Sequence, residues 1–329
     1  MRAAIYRRFG GPDVLEVVDD APRPAARPAM ARVRVRAAAL NPKDVLLRKG
    51  KLKLVSGRIF GERWPRIPGV DFAGELLDAA GDLPAGQRVY GMIQGWSEGA
   101  CAEEAAVPLD ELAPMPASLD FTEAAAIPLA ALTSLQALRD LLQVKRGTRL
   151  CINGASGGVG SYAVQLAAAM GAEVVAVCSG RNAGRMRDLG AHAVIDYTAD
   201  DPLAPQRPYD AFYDVFGNRP YADARRAIRP PARRRAAPGA SQAVYVTTVP
   251  TATAVLGELR GRLPGRLAGP ARLVIVKSNR DDLDDLTARI EAGMLRPVID
   301  RVLPLDAIAE AHRYLETRRA RGKVVIRIG

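Results

Sequence analysis

The stretch Gly154-Ala155-Ser156-Gly157-Gly158-Val159-Gly160 is where this 329-residue chain is best equipped to do chemistry. A predicted strand, Arg149 to Asn153, feeds it. A predicted helix leaves it, with Val159, Ala163, Leu166 and Met170 on one face and Gly171 as terminator. Without a side chain at Gly157 the backbone can approach a pyrophosphate, and Gly160 lets helix and strand pack closely. The N–H groups and partial positive charge of the helix start then answer the phosphate oxygens, so Ser156, Gly157, Gly158 and Val159 are expected on a dinucleotide. The fingerprint is imperfect, because the G-x-G-x-x-G register puts Ala155 where its first glycine belongs and Gly154 falls one residue early. What carries the reading is the strand before the turn, the helix after it and a further strand at Glu173 to Cys178.

The end of that next strand selects between dinucleotides. An acid there bonds the ribose 2′-hydroxyl of NADH and repels a 2′-phosphate. Here the run is Cys178-Ser179-Gly180-Arg181-Asn182. Ser179 offers a hydroxyl and Arg181 a charge-assisted bond, typically about 1.5–3 kcal/mol. The expected cofactor is therefore NADPH, with Asn182 in the same contact run. The fifth and sixth strands should present backbone at their carboxyl ends, through Val246 and Thr247 and through Lys277 after Val276. Asn218, after Asp214-Val215-Phe216-Gly217, reads as an adenosine contact or an ordinary turn asparagine. Asn41 has two readings: a donor to a substrate carbonyl as charge develops on it, or a helix N-cap followed by Pro42. Lys43 and Asp44, adjacent at a helix start, read as solvated or capping. His192 and His312, the two histidines, read as structural.

These residues need a scaffold of two kinds. In the first third, Val33, Val35 and Ala37 alternate with Arg32, Arg34 and Arg36, the period of a half-buried strand, and short apolar runs at Leu15 to Val18, Phe72 to Leu77 and Arg88 to Met92 are cut by Gly/Pro/Asp turns. An alanine-rich helical stretch begins at Thr122. From Thr148 strand and helix alternate as in a doubly wound parallel sheet, with strands expected at Ala193 to Asp196, Tyr209 to Val215, Ala243 to Val249 and Leu273 to Val276. The expectation is a β-rich catalytic domain over 1–120, a Rossmann domain over 121–278 and a segment 279–329 returning to the first. Cys101, Cys151 and Cys178 stand too far apart for a disulfide framework or a zinc cluster, and nothing reads as a signal peptide or a 20-residue apolar span, so a cytoplasmic protein without a membrane partner is expected. Of the net charge of +11, much comes from Arg225, Arg226, Arg229, Arg233, Arg234 and Arg235, which read as a solvated loop rather than a nucleic-acid site.

Taken together, Asn41-Pro42-Lys43-Asp44, Ile67-Pro68-Gly69-Val70-Asp71-Phe72-Ala73-Gly74, Gly154 to Gly160, Leu189-Gly190-Ala191 through Val194-Ile195-Asp196-Tyr197, and Arg321-Gly322-Lys323-Val324-Val325 resemble the zinc-independent quinone oxidoreductase branch of the medium-chain dehydrogenase/reductase superfamily. The resemblance implies a GroES-like domain beside the Rossmann domain, an active site in the cleft between them and a homodimer. It also implies that Tyr197 approaches the adenosine phosphate and Thr133 the nicotinamide. Zinc-bearing relatives carry a cysteine before the Asn41 segment and a His-Glu pair where Val70 and Asp71 stand, so no metal is expected. The implied substrate is a quinone or, alternatively, an α,β-unsaturated carbonyl, both electrophilic enough to accept hydride without a Lewis acid. The chain departs from the family at Pro230 to Gln242, whose Pro, Gly and Arg composition is expected not to order by itself. A reading from another class makes that insertion an RNA- or protein-binding segment on a cofactor-binding protein.

Overall fold

The alternation of valine and arginine in the first third does produce a strand, and a long one. Met30–Leu40 is half-buried in its first part, with Ala31, Val33 and Val35 inward, and wholly buried over Ala37–Leu40. The outward arginines find acids on neighbouring backbone: Arg32 bonds Asp78, and Arg36 bonds Glu75 at 2.8 Å. In this computed structural model residues 1–25, 27–51, 64–94, 99–204, 208–229, 244–261 and 270–329 are described. The arginine-rich insertion Pro230 to Gln242, and with it the interaction reading, lies outside them. The described chain forms two units, Met1–Leu132 with Lys277–Gly329, and Thr133–Val276.

The first unit holds β1 (Ala3–Ile5), β2 (Glu16–Val18), β3 (Met30–Leu40), β4 (Asp71–Leu76), β5 (Arg88–Met92), β6 (Glu104–Pro108) and β7 (Leu112–Pro114). The chain end adds β14 (Ile299–Pro304) and β15 (Lys323–Arg327). Its main sheet runs β14-β15-β3-β4-β5-β7, with β6 also on β3. Val33, Val35, Leu40, Phe72, Val89 and Ile326 are among the side chains of its core, each at most 2% exposed. Gly74 is required where β4 crosses β3, since a Cβ there would lie 2.1 Å from the Arg34 carbonyl oxygen. The alanine-rich stretch divides at Pro128 into helices Phe121–Ala125 and Pro128–Gln136. The first is capped by Asp120 and packs on β3 and β4, which keeps it in this unit rather than beyond a crossing at residue 120.

The second unit is a six-stranded, all-parallel sheet of β8 (Arg149–Asn153), β9 (Glu173–Cys178), β10 (Ala193–Asp196), β11 (Ala211–Asp214), β12 (Tyr245–Thr247) and β13 (Ala271–Leu273). Its order, β10-β9-β8-β11-β12-β13, is the doubly wound Rossmann order with the switch point between β8 and β11. One face is aromatic: Tyr209, Phe212 and Tyr245 are buried, and the Phe212 and Tyr245 rings stack at 6.1 Å. The sixth strand departs from expectation. It pairs Ala271 with Tyr245 and Leu273 with Thr247, where β12 ends, so Ile275 and Val276 lie past the strand.

Candidate functional site

The glycine turn starts at the end of β8. Gly154 takes φ of 79°, a conformation a residue with Cβ rarely adopts, and Phe216 packs where such a Cβ would go. The turn therefore begins one residue before the fingerprint register, and Ala155 is buried with its N–H bonded to the Val177 carbonyl of β9 at 3.0 Å. Gly160 is demanded by close approach, since a Cβ there would lie 2.3 Å from the Gly154 oxygen and 2.7 Å from the Ala155 Cα. Gly157 differs: a Cβ would meet only the Gly154 oxygen, at 3.5 Å, so the space above it is open. Gly157 is also the N-cap of helix Gly158–Ala169 and brings no side chain to its orphan N–H groups. The cradle thus fits an anionic pyrophosphate, which would supply the missing acceptors.

At the end of β9 the Asn182 amide donates to the hydroxyls of both Ser156, at 3.2 Å, and Ser179, at 3.1 Å. The structure thereby joins three of the expected residues in one cluster. Arg181 and Tyr197 are exposed beside it, and the Tyr197 N–H bonds the Cys178 carbonyl. Sequence reasoning missed Asp196. This carboxylate ends β10 opposite Cys178, accepts from the Thr198 N–H and hydroxyl, and lies so near Gly180 that a Cβ there would sit 2.4 Å from Oδ2. Hydrogen bonds from Thr198 hold its pKa below the ordinary carboxylate value. A second missed acid, Asp214, ends β11 at the switch point. It is fully buried and accepts from the Asn153 amide, the Gly217 and Arg219 N–H groups and the Tyr245 hydroxyl. It fixes the loop that carries Asn218, whose exposed side chain bonds Asn153 at 2.8 Å.

Thr133 is buried on helix Pro128–Gln136, next to Ser134, whose hydroxyl donates to the Val159 carbonyl at the cofactor helix. Val246 and Thr247 are wholly buried on β12, and the Thr247 hydroxyl accepts from the Val249 N–H, so they offer a ligand backbone rather than side chain. Lys277 follows Val276 past the end of β13 and opens the Lys277–Gly329 part of the first unit.

Asn41 belongs to the first unit. It is the N-cap of helix Pro42–Arg48, in a capping box with Asp44, and is 3% exposed. Its amide nitrogen donates to the Asp71 carboxylate at 3.0 Å and, more distantly, to the Ala39 carbonyl, while its oxygen accepts from the Lys323 ammonium at 2.5 Å. The amide is thus engaged inside the protein, the Ala39 contact at 3.5 Å being the weaker of its two donations. Lys323 also pairs with Asp71 at 2.8 Å, and the second Asp71 oxygen accepts the Leu129 N–H. Lys323 and Asp71 are 3% and 0% exposed. A buried ammonium thus sits against Asp71, one of the two positions at which zinc-bearing relatives place ligands. Among the described residues no group of three or more His, Cys, Asp or Glu is arranged to hold a metal ion. Burial pushes the Asp44 carboxyl up to about 6, against the stabilising N–H groups of Asn41 and Gly69. His312 is buried against Arg48, and that burial pushes it down to about 3.

A GroES-like sheet unit and a doubly wound unit carrying this glycine turn define a medium-chain dehydrogenase/reductase. The alcohol dehydrogenase GroES-like domain family matches residues 27–117, and the zinc-binding dehydrogenase family matches residues 189–326. The NADPH-dependent alkenal/one oxidoreductase of Arabidopsis thaliana is 32% identical over 99% of this chain and 79% of its own length. The 2-methylene-furan-3-one reductase of Solanum lycopersicum is 32% identical over the same shares. The quinone oxidoreductase from Coxiella burnetii superposes with a TM-score of 0.83 at 30% identity, covering 100% of this chain and 99% of its own. The chain belongs to the zinc-independent, quinone oxidoreductase-like branch of the superfamily, and is an oxidoreductase working with a nicotinamide cofactor. No helix among the described residues is long and apolar enough to cross a membrane.

Proposed function

We propose that this oxidoreductase uses NADPH to reduce quinones. The observation that carries the reading is an open glycine cradle beside a run, Ser179 to Asn182, that contains no acid and presents an exposed arginine. The N–H groups of Gly157, Gly158 and Val159, with Ser156, would hold the pyrophosphate. Ser179 and Arg181 would hold the 2′-phosphate, and Tyr197 and Asn218 the adenosine. Asp196 is close by but is engaged with Thr198, so it shapes the loop rather than opposing a phosphate. Thr133, next to the Ser134 that bonds the cofactor helix, would lie towards the nicotinamide. NADPH, when bound, supplies hydride; quinones need no further activation to receive it.

A second reading, reduction of α,β-unsaturated carbonyls, is favoured by the two plant relatives, whose names specify enone-type substrates. Initial rates of NADPH and NADH oxidation against a panel of quinones and enones decide between them. The proposal expects quinone turnover with NADPH preferred about 10-fold or more in KM; no turnover with either class refutes it. We also place the chain in a reducing compartment such as the cytoplasm, supported by three free, buried cysteines. A homodimer is supported by exposed Leu256, Leu259 and Ile275 around β13, the strand that ends the Rossmann sheet. Light scattering at working concentration tests it.

A further inference from the structure

Asp214 ends β11 at the switch point of the parallel sheet without solvent contact, and the groups bonded to it are neutral donors. Those bonds offset the cost of burying a carboxylate. They also fix the polarity of two asparagine side chains. Asp214 Oδ1 takes the Gly217 N–H at 2.9 Å and is therefore an acceptor, so the Asn153 atom 2.7 Å from the same oxygen has to be the amide nitrogen. That nitrogen carries a second proton. It serves the Asn218 side chain at 2.8 Å, and the Asn218 atom that receives it has to be the carbonyl oxygen. The Asn218 NH2 group is thereby turned away from Asn153, on an exposed residue with no other side-chain partner among the described residues.

We propose that Asp214, acting through Asn153, is a positioning residue that sets Asn218 as a hydrogen-bond donor to an acceptor atom of the cofactor's adenosine. The proposal rests on the cofactor-binding reading above, to which it adds the sign of the contact and the group that imposes it.

The relay belongs to the glycine turn. Asn153 immediately precedes Gly154, and Phe216, two residues before Asn218, packs on Gly154 with its Cβ 3.0 Å from where a Cβ at Gly154 would stand. The loop that carries Asn218 is tied at several points. The Val215 N–H bonds the Asn153 carbonyl at 3.0 Å, the Thr248 hydroxyl donates to the Val215 carbonyl at 2.8 Å, and Asp214 holds the Arg219 N–H at 2.9 Å. A fixed donor suits adenosine, whose ribose oxygens and ring nitrogens accept. An asparagine that nothing holds offers its oxygen as readily as its nitrogen. Settling that choice before the ligand arrives lowers the entropy lost on binding.

The test measures binding to the full chain as wild type, Asn218→Ala, Asn153→Ala and the double variant. Adenosine is common to both cofactors, so Asn218→Ala should raise the Kd of NADPH and of NADH alike, by about 3- to 10-fold, as for one net hydrogen bond. Asn153→Ala leaves Asn218 free to turn and should give a smaller loss, and the double variant should bind as Asn218→Ala does. With asparagine nitrogen isotopically labelled for NMR, and the side-chain signals assigned from the variants, the Asn153 NH2 protons should exchange slowly with solvent in the free protein and the Asn218 NH2 protons fast. Saturation with NADPH, or with adenosine 2′,5′-bisphosphate as the adenosine half alone, should shift the Asn218 pair and slow its exchange. Strictly additive losses overturn the proposal. So does an Asn218 pair that neither shifts nor slows, or one that answers NADPH but not the bisphosphate. If Asn153→Ala does not fold, the exposed Asn218→Ala variant and the wild-type spectra decide by the same criteria. A wild-type protein that binds neither NADPH nor NADH refutes instead the cofactor-binding reading, and the donor role with it.

Discussion

Replacing Lys323 by methionine should destabilise the first unit by about 3 kcal/mol, toward the low end of the roughly 3–5 kcal/mol typical for breaking a buried ion pair. The structure sets this magnitude. Lys323 and Asp71 have almost no solvent contact, so the Asp71 carboxylate left behind cannot be rehydrated cheaply. It still keeps the Asn41 amide at 3.0 Å and the Leu129 N–H at 2.8 Å, which moderates the loss. Asp71→Asn should cost at least as much, because the ammonium then keeps only the Asn41 oxygen. In the double variant Lys323→Met/Asp71→Leu neither charge remains. The Leu129 N–H is orphaned, at about 1–3 kcal/mol, and the two single losses should fail to add by about 2 kcal/mol. Trp64 packs on Tyr6 and Phe9 in this unit, so urea unfolding followed by tryptophan fluorescence reads it. A Lys323→Met protein within about 1 kcal/mol of wild type, or strictly additive variants, would falsify the view that this pair locks β15 to β4.

Other consequences follow from individual contacts. Arg181→Ala should raise the Kd for NADPH roughly 10-fold and leave that for NADH unchanged, the smaller end of the usual range because the side chain is exposed and salt-screened; equal losses for both cofactors would remove the 2′-phosphate assignment. Gly160→Ala pushes a methyl onto the Gly154 carbonyl and should weaken either cofactor by 10-fold or more, about 1.4 kcal/mol, together with a lower unfolding temperature; unchanged affinity in a titration of nicotinamide fluorescence would contradict the close-packing account. Acid should destabilise the first unit through His312. Its folded pKa of about 3 lies below the unfolded value of 6.5, so its contribution is complete above pH 6.5 and is lost as pH falls toward 3. Asp44 works oppositely: raised to about 6 from 3.8, it strains the fold when ionised and relieves it as pH falls from 6 to 4. Melting curves from pH 7 to 4 should therefore flatten in His312→Gln and steepen in Asp44→Asn, and identical slopes in all three proteins would count against both assignments.

The parts of the molecule legible in sequence are those decided by neighbours along the chain. Strand Arg149–Asn153, the helix behind it and the order of the parallel sheet follow from periodicity, and the phosphate cradle follows from glycines inside one turn. Even the broken fingerprint has a local cause, because Gly154 supplies the positive φ that the register assigns to Ala155. Where the sequence leaves readings open, the partners that bear on them are distant. Asn41 looked equally good as cap and as substrate donor, since its cap partner is 3 residues away whereas the groups that occupy its amide, Asp71 and Lys323, are 30 and 282 residues away. Leu273 to Val276 reads as the sixth strand because it is apolar, but the strand runs Ala271–Leu273, its length set by where β12 stops.

The same distinction bears on what kind of residue makes this a reductase. The groups held by local spacing bind a cofactor shared by many chemistries, and a doubly wound sheet with such a turn does not name a reaction. The groups assembled from afar, Asp71 from β4 and Lys323 from β15, instead hold the helix start at Asn41. Gly160→Ala, a change within the local set, should therefore lose cofactor affinity first.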